Sequence, residues 1–276
     1  MSNSFLTPPV GFGPGSQPMA EGDDQLEYMA MPQDMRSYAP RLPDVEASLE
    51  DLEPAFAVLR AVADACTAHT PARFDLSDLD VESMKLISDT LGDGEVAAKV
   101  RGVPAIAVQE SVFAGVWRLN GAGINALEVG PISASVTKNP FAPVRQGQLD
   151  ATPPGPGVIN APALLAELQD KSANFGPGSE LHVINLSLLP HTEEDLAWLD
   201  TALGEGAVTI LSRGYGNCRI TATALAHVWR VQFFNSMDTL ILDTFEVTGV
   251  PEVAVAAPED LTDSGARILK VLEAIS

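Results

Sequence analysis

The feature that most constrains the fold is a repeat. Leu91-Gly-Asp-Gly-Glu-Val96 returns as Leu203-Gly-Glu-Gly-Ala-Val208, an offset of 112 residues. Held without gaps, that offset places Arg101-Gly102 on Arg213-Gly214, Ala114 on Ala226, and Trp117-Arg118 on Trp229-Arg230. Upstream, 81–87 falls on 193–199, and Leu76-Ser77 meets Leu186-Ser187 after a small insertion. Self-similarity at a fixed period means one supersecondary unit used twice.

Each unit reads as helix, strand, helix and then an antiparallel sheet. In the first, Leu49, Leu52, Phe56, Leu59, Val62 and Ala63 recur at helical spacing after Asp44, with Glu46, Glu50, Asp51 and Glu53 in the early turns that the helix dipole favours. A strand at 73–76 follows, then a helix capped by Asp80 and ended by Gly92. Strands come next at 96–101, 105–111 and 116–119, the last continuing near 127–132. In the second unit Asn160 or Pro162 opens a helix, 181–186 is a strand, and Thr192 with Asp195 resembles a capping box for a helix ending at Gly204. Strands at 208–212, 218–223, 228–234 and 239–247 are joined by tight turns, and Pro258 or Asp260 starts a last amphipathic helix. The expected architecture is α+β: a tandem duplication of a two-layer unit, with helices over one apolar sheet face. The units span 44–137 and 159–276, separated by a Pro- and Gly-rich linker at 138–158. Residues 1–43, rich in Pro and Gly, read as a flexible tail.

Composition narrows the function. The net charge is −21, with 37 acidic against 16 basic residues, which opposes binding to nucleic acid or anionic membranes and favours a basic protein partner or simple solubility. No apolar run is long enough to cross a bilayer and the N-terminus does not read as a secretory signal, so the cytosol is the expected compartment. Two cysteines, Cys66 and Cys218, form neither a disulfide framework nor a thiolate metal cluster.

Against this acidity one segment stands apart. Residues 207–237 contain no Asp or Glu, yet carry Arg213, Arg219 and Arg230. Within them, Arg213-Gly-Tyr-Gly-Asn-Cys-Arg219 has the glycines of a tight turn. Period two sends Cys218, Ile220 and Ala222 to one face and Arg219, Thr221 and Thr223 to the other; Arg230 and Gln232 alternate with Trp229, Val231 and Phe233. The polar, cationic face suits an extended peptide or protein edge, and equally suits plain solvation. The repeats diverge here: Tyr215-Gly-Asn-Cys218 becomes Val103-Pro-Ala-Ile106, and Asn235-Ser-Met-Asp238 faces a shorter turn. That points to the second copy as the working one, unless Pro104 is only another way to build the turn.

Catalytic readings are weaker. Cys218 beside Arg219, with His227 nearby in sequence, admits a nucleophilic thiol, but alternation puts it on the apolar face. There is no CxxC, no HxxxH and no phosphate-binding loop. Asp238, Asp243 and Glu246 fit ion pairs with the arginines better than acid–base catalysis.

Arg213-Gly-Tyr-Gly-Asn-Cys-Arg-Ile-Thr221, Phe234-Asn-Ser-Met-Asp238, Leu240-Ile-Leu-Asp-Thr244, Val250-Pro-Glu-Val253 and the tail piece Tyr28-Met-Ala-Met-Pro32 together resemble the HupH/HyaF family of nickel–iron hydrogenase expression proteins. The resemblance implies a non-enzymatic accessory protein of hydrogenase maturation without a cofactor. Its implied cargo is the precursor of the iron–sulfur small subunit, with its twin-arginine export signal; other accessory proteins are further implied partners. It carries over no catalytic residue. The residues expected to meet a partner are Arg213, Gly214, Tyr215, Gly216, Asn217, Cys218, Arg219, Trp229, Arg230, Asn235 and Asp238. A thiol-dependent or cluster-handling role for Cys218, and a scaffold tethered by the tail, are the alternatives.

Overall fold

A computed structural model describes residues 51–149, 154–214 and 216–275. The expectations for the tail and for 44–50 of the first helix lie outside the described residues. The first half runs α1 (Glu53–Thr67), β1 (Ala72–Asp75), α2 (Val81–Leu91), β2 (Val96–Val100), β3 (Ile106–Glu110), β4 (Val116–Gly121), β5 (Ile124–Val129) and α3 (Ala134–Thr137). The second runs α4 (Ala161–Ala173), β6 (His182–Asn185), α5 (Glu193–Leu203), β7 (Val208–Ser212), β8 (Asn217–Ala222), β9 (Val228–Phe234), β10 (Leu240–Val247) and α6 (Pro258–Ile275).

Local chemistry sets the ends of these elements. Asp80 caps α2 by accepting from the Ser83 N–H, and Gly92 ends it at φ +52°. Thr192 and Asp195 form the full capping box of α5. Asp195 does more than cap, because its buried carboxylate also accepts the backbone N–H groups of Ile159, Asn160 and Ala161 at the start of α4. Burial would raise its pKa, but the donors from Ala161, Thr192, Ile159 and Asn160 outweigh that and hold it well below the usual carboxylate range. One side chain thus joins two helix N-termini.

All ten strands form one antiparallel sheet in the order β1-β5-β4-β3-β2-β7-β8-β9-β10-β6. Outward from the β2–β7 contact, both halves follow the same sequence of strands. At that contact Ala98 faces Ile210, its own counterpart at the 112-residue offset. The flanking bonds are reciprocal: Arg101 N–H donates to the Ala207 carbonyl and Arg213 N–H to that of Glu95. The correspondence extends to backbone detail. Gly92 and Gly204 have φ of +52° and +68°, and Gly115 and His227 have +78° and +63°. Ser111 and Thr223 each bridge the N–H and the carbonyl of the residue two positions on.

Two expectations need correction. The segment 138–158 does not divide the chain into separate domains. Its first stretch is bonded to the second half: Ala207 N–H donates to the Pro140 carbonyl, and Arg145 and Glu205 exchange backbone bonds. Nor is there a single apolar face lying beneath the helices, because both faces of the sheet bury apolar side chains. Ala98, Val108, Trp117, Leu119, Val208, Ile210, Ile220, Trp229 and Val231 form one cluster across the β2–β7 contact. It is covered by Ile132, Val136 and Phe141 on one side and by Val250, Val253 and Ala254 on the other. The main helices lie on the opposite face, at its two ends. There α1, α2 and α6 pack on Val116, Leu127 and Val129, while α4 and α5 pack on Val228, Phe245 and Val247. Between these ends the outer face of β2, β7 and β8 carries the exposed Lys99, Leu211 and Arg219. Period two separates the faces but does not say which layer covers which.

The last helix belongs to the second half by sequence, yet seats on α1 of the first. Gly265 permits the approach: a Cβ there would stand 2.5 Å from Thr67 Oγ1 and 2.7 Å from the Ala63 carbonyl oxygen. A mid-helix glycine costs about 1 kcal/mol relative to alanine, so the close contact outweighs propensity. Gly265→Val should therefore lower unfolding stability by about 1–3 kcal/mol in a urea titration, as overpacking does; an unchanged midpoint would mean that α6 does not seat here. Near the same helix, burial pushes the Glu110 carboxyl up to about 7, with Glu95 and Asp260 adding to the shift against the opposing Gly115 N–H. A carboxyl raised in the folded state contributes stability below its unfolded pKa, and that contribution fades as pH rises through 7. Glu110→Gln should therefore stabilise the protein more at pH 8 than at pH 5, relative to the parent, in thermal unfolding.

Candidate partner-docking surface

Two neighbouring hairpin tips build the site. At the β7–β8 tip, Gly216 takes φ +97°, which a side chain would resist. Gly214 lets the first half approach, since a Cβ there would stand 2.5 Å from Glu95 Oε2. Tyr215, expected at the same tip, lies outside the described residues. The β9–β10 tip is organised by Asn235, whose Oδ1 accepts the N–H groups of Met237 and Thr239 at 2.9 and 3.0 Å. Asp238 adopts φ +57° and bonds Asn217 Nδ2 at 3.4 Å, which links the two tips.

Between them lies an open groove of about 490 Å³, lined by Leu211, Arg213, Asn217, Arg219, Phe234 and Asp238, with Ser212 and Cys218 also on its wall. Arg219 places its guanidinium 5.5 Å from the centre of the Phe234 ring, a stacking that orients it without neutralising it. Arg213 and Arg219 are exposed, and neither has an ion pair among the described residues. Exposed apolar side chains accompany them: Met237 at 82%, Ile241 at 60%, Leu211 at 46% and Leu240 at 43% exposure. The sequence reading missed these four. Leu211 was within its reach, because it pairs with Arg219 across β7–β8 and so shares the outward face.

Two of the expected contact residues, Trp229 and Arg230, are placed elsewhere, and a third, Cys218, is on the groove wall but buried. Trp229 is wholly buried, and its indole N–H reaches the Thr248 and Gly249 carbonyls at 3.3 Å each, so it supports the sheet from within. Arg230 is held in a two-pronged pair with Asp243, Nε to Oδ1 at 3.0 Å and Nη2 to Oδ2 at 2.6 Å, over the Phe245 ring. Burial alone would lower its pKa; the Asp243 hydrogen bond and charge raise it instead, so its charge is already matched. Cys218 is buried, and burial together with the nearby Glu246 pushes its thiol up to about 11. Such a thiol is almost wholly protonated near neutrality, which disfavours a nucleophilic role. Asn235 acts through the turn it builds. Among the described residues no three His, Cys, Asp or Glu side chains gather as metal ligands would, and no helix is long and apolar enough to cross a membrane.

These two hairpins fall in a region, residues 158–275, that matches the model of the HupH hydrogenase expression protein C-terminal conserved region. Over its whole length the chain is 59% identical to the hydrogenase expression/formation protein HupH of Rhodobacter capsulatus, covering all of both chains. It is 45% identical to HoxQ of Cupriavidus necator over 98% of each chain, and 32% identical to the hydrogenase-1 operon protein HyaF of Escherichia coli over 72% of each. A solved HupH structure from Thiobacillus denitrificans aligns with 42% of this chain and 95% of its own, at 31% identity and a TM-score of 0.37. With identity of this order over 72–100% of the chain to several curated members, the chain belongs to the HupH/HyaF family of hydrogenase expression/formation proteins.

Proposed function

We propose that this chain is a non-catalytic accessory protein of hydrogenase maturation that holds the iron–sulfur small-subunit precursor in the cytoplasm, before export, through the groove between its second-half hairpins. The names of its relatives support the maturation role. The observation that carries the docking site is the pair of exposed, unpaired arginines beside exposed apolar side chains, a mixture suited to a protein partner.

We read the two halves as copies of one unit, of which the second kept the working tip. The support is a difference at matched positions. Arg101 is tied down by an ion pair to Glu205 and by the Thr209 hydroxyl at 3.1 Å. Its counterpart Arg213 has neither. Asp93, at the position of Glu205, pairs with Arg118 at 3.0 Å instead, and Ala97 stands where Thr209 would supply a hydroxyl. The first copy ties its half-buried arginine to a carboxylate and a hydroxyl; the second leaves it exposed without either.

Capture tests the reading. The full chain should retain the co-expressed small-subunit precursor, and charge reversal at Arg213 and Arg219 together should abolish most of that retention. No capture of the precursor, with or without its signal peptide, would remove the proposal. Because the thiol is buried and protonated, Cys218→Ser should leave hydrogenase maturation near the parent level in an activity assay of the matured enzyme. Loss of maturation by a stably folded Cys218→Ser protein would instead restore the thiol-dependent alternative.

A further inference from the structure

The first half shows what completes an arginine at this position. Arg101 meets a carboxylate and a hydroxyl from across the β2–β7 contact. Arg213 sits at the matching place with the same backbone bond, Arg213 N–H to the Glu95 carbonyl, but the matching acid is engaged with Arg118. The chain has 37 acidic residues to 16 basic ones, so an exposed arginine without a carboxylate is unexpected on numbers alone. Two occur side by side. Arg219 lies over Phe234, a contact that orders its planar fork, and its guanidinium N–H donors have no hydrogen-bond partner among the described residues. Two acids stand near the groove: Asp238 lies on its wall and accepts from Asn217 Nδ2, and the Glu95 carboxylate stands beside Gly214, but neither pairs with Arg213 or Arg219 among the described residues.

We propose that the groove binds an extended acidic segment of the partner, with carboxylates on Arg213 and Arg219 and an apolar side chain against Leu211 and Met237. This rests on the docking site proposed above and specifies its chemistry. It also assigns the groove to an acidic stretch of the precursor and not to its basic twin-arginine signal, which two free guanidinium groups would repel. Of the partner classes, a protein segment fits better than nucleic acid, because the exposed apolar side chains need a counterpart that a phosphate backbone does not supply.

The test uses the full chain and fluorescent peptides of equal length: one alternating Glu with Leu, its Gln-for-Glu isostere, and one bearing paired arginines among leucines. Anisotropy should show the acidic peptide binding about tenfold tighter than the isostere, the loss expected when charge-assisted hydrogen bonds are removed. Arg213→Ala and Arg219→Ala should each weaken it severalfold, and added salt should weaken it further. Equal binding of the isostere, of the basic peptide, or of an oligonucleotide of matched charge would overturn the assignment, as would unaltered binding by a folded Arg213→Ala, Arg219→Ala double variant. Two outcomes separate this inference from the reading beneath it. Precursor captured but not displaced by the acidic peptide sinks the inference and leaves the function standing. A peptide that binds as expected, with no capture of precursor, does the reverse.

Discussion

The pairing of β2 with β7 is the interaction on which the rest depends. Five residue pairs, with Ala98 opposite Ile210 at their centre, turn two five-stranded sheets into one. Without that contact each half would expose a strand edge of unpaired N–H and carbonyl groups beside an incompletely covered apolar face. With it, Val108 and Trp117 of the first half and Ile220 and Trp229 of the second share a single core. The same contact brings Glu95 beside Gly214, so the groove's hairpin is held against the first half from behind.

Other links run in the same direction. The last helix crosses to α1, where Gly265 lets the two backbones approach, and residues 140–148 of the connecting segment are bonded to the second half. The C-terminal region that matches the family model therefore contains a helix whose apolar face is buried on the first half. Neither half holds a complete set of its own covering layers, which makes the first half structurally necessary even where its arginine is already paired.

The difference between the two halves is electrostatic more than architectural. The framework positions match, down to the positive φ of Gly92 and Gly204 and the Ser111 and Thr223 bridges. What changed is who neutralises the arginine after the first strand. Arg101 has Glu205 and Thr209; Arg213 faces Ala97 and an Asp93 already committed to Arg118. A few side chains separate a closed corner from an open one.

Much of this was legible in the residues. Caps, turns and strand alternation are local, set by contacts between residues a few positions apart, so Asp80, the Thr192–Asp195 box and the outward direction of Arg219 could be read directly. Charge spacing along the chain could not identify the free arginines. Arg230 resembles Arg219 in sequence, yet Asp243 neutralises it from the next strand while Arg219 keeps only an aromatic ring. By itself the chain determined the self-similarity at a fixed offset, most of the order of elements and the alternation of side chains along each strand; it did not separate β4 from β5 or show α3. Only the tertiary structure decided that the halves join edge to edge, that short segments around α3 and 250–254 and not the long helices cover the shared core, and that Arg213 and Arg219 lack an ion pair among the described residues. Those outcomes turn on atoms brought together from distant positions, and local spacing carries no record of them.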